Sequence, residues 1–146
     1  MDLRDKVTII TGGSGGLGMA AAKAFLAKGA KVAIFDLQEG DARALTEAHP
    51  GQVKYYETNV TSEENVATNI NQVVADFGAI DVCINCAGFG PSAKTYSSRN
   101  GPHPLDQFQN VINVNLVGTF NVLRLAVEKM STNEGEEKGA VVKQDE

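Results

Sequence analysis

Between Gly12 and Gly18 the chain places five of its 15 glycines within seven residues, in the run Thr11-Gly12-Gly13-Ser14-Gly15-Gly16-Leu17-Gly18. No other segment limits the fold as strongly. Before it stands Lys6-Val-Thr-Ile-Ile-Thr11, short, β-branched and apolar, as a buried strand requires. After it, Met19 to Lys28 is alanine-rich with Phe25 and Leu26 and stops at Gly29, the pattern of a helix ended by glycine. A strand that turns through glycines into a helix leaves N–H groups free at the positive end of the helix dipole. With no side chains in the way, an anion such as a phosphate can approach those groups closely. No Gly-Lys-Ser/Thr follows, so the turn is not a P-loop.

The same alternation continues. Lys31 to Asp36 reads as a second buried strand, and about 39–48 as a short helix ending at His49-Pro50-Gly51. Val53 to Val60 is a third strand. Thr61-Ser62-Glu63-Glu64 looks like a helix start with acids in its first turn. Val66, Ile70, Val73 and Phe77 then fall on one face of that helix, Gly78 ends it, and Val82 to Asn85 is a fourth strand. Strands alternating with helices at this spacing imply an α/β fold: a Rossmann-type parallel sheet with helices on both faces.

Residues 86–104, with Gly88, Gly90, Pro91, Gly101, Pro102 and Pro104, read as a loop, and Leu105 to Met130 as one long helix. Two stripes run along that helix: Ile112, Leu116, Phe120, Leu123 and Val127, and Val111, Val114, Gly118, Val122 and Leu125. A helix apolar on two sides is buried on two sides. One side is expected on the sheet and the other on a second subunit, a homo-oligomer through helix 105–130.

Composition removes several classes. The formal charge of −5 and the absence of a basic patch speak against a nucleic-acid partner. No run was found to approach the apolar length of a membrane span, so no membrane partner is expected. Met1 to Lys6 carries neither an apolar signal core nor an Arg/Ser-rich transit pattern, which leads to a cytoplasmic expectation. Cys83 and Cys86 form a C-x-x-C at a strand end, where residues three apart point to opposite faces. His49 and His103 are not at ligand spacing, so buried thiols are preferred to a metal or redox site.

Gly13, Gly15 and Gly18 satisfy G-x-G-x-x-G, and Asp36 ends the next strand. Strand, glycine turn, helix and acid together are a dinucleotide signature, the acid accepting from the ribose hydroxyls. The carboxylate of Asp36 would repel a 2′-phosphate. Leu37 and Gln38 follow it, and no basic residue lies between Gly12 and Gly18, which favours NAD over NADP.

These residues resemble the short-chain dehydrogenase/reductase family. Its Thr-Gly-x-x-x-Gly-x-Gly stands as Thr11, Gly12, Gly16 and Gly18, its Asn-x-Ala-Gly as Asn85-Cys86-Ala87-Gly88, and its helix asparagine as Asn115. Asn59-Val60-Thr61-Ser62-Glu63, Ala93-Lys94-Thr95-Tyr96 and Asn115-Leu116-Val117-Gly118-Thr119-Phe120-Asn121-Val122 are similar to its 3-hydroxyacyl-CoA and hydroxysteroid dehydrogenase branch. That resemblance implies NAD as cofactor, an acyl-CoA or steroid-type secondary alcohol as substrate of a complete form, and a mitochondrial alternative for localisation. It implies that Gly12, Gly15, Gly16, Leu17 and Gly18 hold the pyrophosphate and nearby ribose. Asp36, with Leu37 beside it, would take the adenosine ribose. Asn59 and Val60 would border the adenine, and Cys86, Ala87 and Gly88 would line the cofactor. Asn59 stands where the family usually has Asp. It is expected to accept through its carbonyl oxygen without charge assistance, and so to weaken the cofactor's hold. Asn115 would hold a relay water, unless it is simply a helix asparagine satisfied by backbone. Residues 89–104 resemble a substrate-side insertion, or a surface loop.

The match stops before the chain does. Tyr55, Tyr56 and Tyr96 are followed four residues on by Asn59, Val60 and Asn100, so the family's Tyr-x-x-x-Lys is missing. Ala140-Val141-Val142 begins a fifth strand, Lys143 stands where Asn is due, and the serine position falls on Glu146. The expectation is an incomplete dinucleotide-binding domain over 1–142, truncated near the fifth strand, with a divergent charged tail at 143–146. Such a chain would bind NAD without turning over alcohol. Its open strand edge would leave it poorly soluble or paired with another chain. The rival is a non-enzymatic form that binds cofactor or full-length subunits.

Overall fold

The computed structural model describes residues 1–143. Five parallel strands form one sheet: β1 (Val7–Thr11), β2 (Lys31–Asp36), β3 (Val53–Glu57), β4 (Val82–Asn85) and β7 (Ala140–Lys143), ordered β3-β2-β1-β4-β7. The α/β reading of the sequence is thus what the chain adopts. Ile10 lies opposite Ile34 on one side and Ile84 on the other, the middle row of a ladder of buried branched residues. The period of two in a strand sends alternate residues to opposite faces. Ile9, Ala33, Phe35 and Cys83 join one core with Val66, Ile70 and Val73 of α3 (Glu63–Phe77) and Val122, Ala126 and Met130 of the last helix. Ile10, Val32, Ile34 and Ile84 join the other with Met19 and Ala22 of α1 (Gly16–Ala27) and Ala42 of α2 (Ala42–Ala48). Both faces are therefore covered, as parallel sheets require.

Local chemistry sets the element ends. The Ser62 hydroxyl accepts from the Asn65 N–H at 3.2 Å, capping α3, and Glu63 and Glu64 face its dipole. Gly78, at φ +94°, ends it in a conformation that side chains resist.

Three expectations are corrected. Residues 86–104 are not all loop: β5 (Tyr96–Ser97) and β6 (Gly101–Pro102) pair as a small antiparallel hairpin. The long helix is not uniform: α4 (Leu105–Ile112) passes into a wider π-helical segment, Asn113–Gly118, before α5 (Thr119–Met130). Six residues are too few for periodicity to separate the two windings. Lys143 is not tail: it closes β7 opposite Asn85, and only 144–146 of that expected tail lie outside the described residues. β7 pairs with β4 alone among the described residues, and Val141 and Val142 are exposed, which is how a strand running into charge is tolerated.

The stripe that holds Gly118 and Val122 packs inward, with Val114 and Leu125 against the core. The other stripe faces out, with Leu116 and Phe120 both more than 60% exposed. By length and composition alone Leu105–Met130 is apolar enough to cross a bilayer, which the sequence reading had excluded. On α5, Val122, Ala126 and Met130 are buried against the sheet and α3, while α4 has no buried residue.

Candidate functional site

The carboxyl ends of β1, β2 and β4 meet where the strand order reverses about β1, and a cleft of about 800 Å³ opens there. Gly12, Gly15, Gly16, Leu17 and Gly18 form one wall. Asp36, Leu37, Asn59 and Val60 form the second, and Cys86, Ala87 and Gly88 the third. All the residues expected to touch a dinucleotide thus share one cavity.

The glycine turn fits a pyrophosphate by its packing. A Cβ on Gly18 would stand 2.2 Å from the Gly12 carbonyl oxygen, so α1 can start this close to β1 only without a side chain there. A Cβ on Gly12 would meet the Cys86 and Ala87 backbone at 2.9 Å. Gly15 and Gly16 have nothing within 4 Å of that position, which leaves their backbone open to the cleft. The Thr11 hydroxyl oxygen accepts from the N–H groups of Cys86 at 3.1 Å and Ala87 at 3.0 Å. That bond pair holds the first wall against the third. Thr11 was quoted in the sequence as part of a motif, and its structural work shows only in the fold.

Asp36 sits at the end of β2, half-buried. One carboxylate oxygen accepts from Ser14 N–H at 3.0 Å and the other from Leu37 N–H at 2.8 Å. Each oxygen keeps a lone pair, so a vicinal diol could donate to both. Among the described residues the cleft wall contains no Lys or Arg. The residues present therefore suit a dinucleotide.

Asn59 corrects its expectation. Its side-chain oxygen already accepts from both the N–H of Thr61, at 3.0 Å, and the Thr61 hydroxyl, at 2.7 Å. The acceptor assigned to adenine is thereby committed to the turn.

Asn115 lines an adjoining cleft of about 500 Å³, with Phe89, Leu116, Thr119 and Lys143. Its amide donates to the Phe89 carbonyl at 2.8 Å, and its oxygen accepts from Phe89 N–H at 3.0 Å. The Thr119 hydroxyl donates to its main-chain carbonyl at 2.7 Å. Asn115 thus ties Phe89 of the 86–104 segment to the π turn. Asn85 lines this cleft too, and its side-chain oxygen is buried with no hydrogen-bond partner among the described residues.

The tyrosines lie outside both clefts. Burial raises the Tyr56 phenol far above its ordinary range, helped by its hydrogen bond to Asp76. Burial, then Glu57, Asp36 and Glu39, raise Tyr55. Neither phenol reaches a cleft wall, where a proton acceptor for an alcohol would have to stand. Cys83 is buried in the α3-side core, and burial pushes its thiol up to about 12. Cys86 packs on the α1 side, and burial raises it too. Both are free thiols on opposite faces, Cys83 buried as expected and Cys86 half-buried at the cleft wall. Among the described residues no three His, Cys, Asp or Glu side chains gather as metal ligands.

Comparison with known proteins agrees with this geometry. The model of the short chain dehydrogenase family matches residues 6–143. The chain is 40% identical over 134 residues to 3-hydroxyacyl-CoA dehydrogenase type-2 of Rattus norvegicus, covering 91% of this chain and 51% of that protein. The Drosophila melanogaster protein of the same name is 36% identical over 138 residues, 94% of this chain and 54% of the relative. L-fucose dehydrogenase of Mus musculus is 32% identical over 130 residues, 89% and 46% respectively. The chain spans about half the length of these curated relatives.

Proposed function

Because the chain belongs to the short chain dehydrogenase family, we propose that it forms the NAD-binding half of an oxidoreductase acting on a secondary alcohol of the 3-hydroxyacyl-CoA or hydroxysteroid kind. The observation that carries this reading is Asp36, held by Ser14 N–H at the mouth of a glycine-walled cleft without a cation. A carboxylate there receives the hydroxyls of a ribose and repels a 2′-phosphate. The open N–H groups at the start of α1 take the pyrophosphate. Leu37 and Val60 supply apolar contact at the base end. Bound NAD would supply the hydride acceptor. Asn115 fixes Phe89 at the junction of the two clefts, where cofactor and alcohol must meet.

Alcohol oxidation also needs a proton acceptor, and among the described residues no tyrosine lines either cleft. The 146 residues by themselves therefore bind dinucleotide without consuming alcohol. Calorimetric titration tests the reading. NAD should bind, NADP should bind about tenfold more weakly or less, and a 3-hydroxyacyl-CoA should yield no NADH. Absence of heat with NAD would overturn the cofactor assignment, and NADH formation would overturn the division of labour.

The outward stripe with Leu116 and Phe120 supports a further element of this reading, a homo-oligomer through helix 105–130. The same face would serve a non-enzymatic form that docks on full-length subunits.

A further inference from the structure

We propose that Asn59 makes the base end of the cleft select a purine carrying an acceptor at its 6-position, so that the hypoxanthine analogue of NAD binds at least as tightly as NAD. This rests on the dinucleotide reading above. If Asp36 takes the ribose, the attached base must lie beside Leu37, Asn59 and Val60, which continue the same wall.

The turn at that wall is locked in a way that assigns the two ends of the Asn59 amide. Thr61 N–H can only donate, so the Asn59 atom 3.0 Å from it is the oxygen. The Thr61 hydroxyl, at 2.7 Å, reaches the same atom and fills its second lone pair. The backbone N–H of Asn59 donates to the Asn65 side-chain oxygen at 2.7 Å, which holds the residue from the other side. Turning the amide over would set its NH2 against the Thr61 N–H. What remains for a base is Nδ2, which has no partner among the described residues, on a side chain that is exposed at the cleft wall.

Nδ2 only donates. Adenine carries an amino group at its 6-position, also a donor. Hypoxanthine carries a carbonyl oxygen there, which accepts. With the 6-position turned to Asn59, a donor on the wall opposes adenine there and matches hypoxanthine. A carboxylate at 59 would do the reverse, with one oxygen on Thr61 and the other free to accept from the amino group.

The test is a titration of the 146-residue chain with NAD and with nicotinamide hypoxanthine dinucleotide, repeated on Asn59→Asp and Asn59→Ser. The unmodified chain should bind the hypoxanthine compound as tightly as NAD or more tightly. Asn59→Asp should move the ratio about tenfold towards NAD. Asn59→Ser keeps an oxygen for Thr61 and removes the amide, so the hypoxanthine preference should fall with no gain for NAD. Thermal melts of all three report folding. Tighter binding of NAD by the unmodified chain, or the same ratio in Asn59→Asp, overturns the Asn59 assignment and leaves the dinucleotide reading standing. Failure of both compounds to bind overturns the two together.

Discussion

Ser14 donates its backbone N–H to the Asp36 carboxylate at 3.0 Å, so the glycine turn and the acid at the end of β2 form one mechanical unit. The turn needs the acid for its own shape, and the acid needs the turn for its orientation. An Asp36→Ala variant should weaken NAD about tenfold or more, the usual loss for a hydrogen bond to a charged group. Its discrimination against NADP should shrink with it. Paired titrations with the two dinucleotides measure both effects.

Two glycines three residues apart should behave differently. Gly18→Ala forces a methyl to 2.2 Å from the Gly12 oxygen, and overpacking of that kind costs about 1–3 kcal/mol. Gly15→Ala meets nothing within 4 Å and keeps an extended backbone, at φ −161°. The first variant should lower the melting temperature and the second should not. Both should weaken NAD, Gly18→Ala by pushing the turn away from the start of α1 and Gly15→Ala by setting a methyl on the open cleft wall.

Asn115→Ala removes both bonds to Phe89, each worth about 1 kcal/mol net. The expected result is faster hydrogen exchange at the Phe89 amide and through the 86–104 segment, with the β1–β4 ladder as protected as before. Exchange measured by mass spectrometry separates the two regions.

Asp76 predicts the acid limb of stability. Hydrogen bonds from Tyr56, then Lys54 and Gln72, hold its carboxyl below the usual range. A depressed folded-state pKa means the stabilisation is present above the unfolded carboxylate value of about 3.9 and disappears as pH falls through the folded value. Asp76→Asn should therefore lower the melting temperature at neutral pH and converge with the parent chain in acid. Melts from pH 2 to 7 test this.

The outward stripe of the last helix gives a test of association. Phe120→Lys places a charge on a side chain that is 62% exposed, so the isolated fold should tolerate it. Sedimentation should show self-association of the parent chain and its loss in the variant.

Much of this was legible before any coordinates. Strand and helix periods placed β1 to β4 and the helices between them, because a buried parallel sheet needs near-continuous apolar strands. Gly12, Gly16, Gly18 and Asp36 could be picked out because the chemistry of holding a pyrophosphate and a ribose leaves few alternatives. What stayed hidden was pairwise. The engagement of the Asn59 oxygen by Thr61 depends on a turn whose geometry no single residue announces. The clasp between Asn115 and Phe89 spans 26 positions, and composition says nothing of it. The π segment escaped because an asparagine-valine repeat suits either winding.

The order of the strands also has a consequence in time. β1 is complete at Thr11, yet one of its two neighbours, β4, ends at Asn85, long afterwards in synthesis. On a ribosome the centre of the sheet must therefore wait, half-matched, until about 75 further residues have been made. Early β1–β2–β3 assembly exposes the very margin that β4 will later occupy, and that interval is when a chaperone would find most to hold.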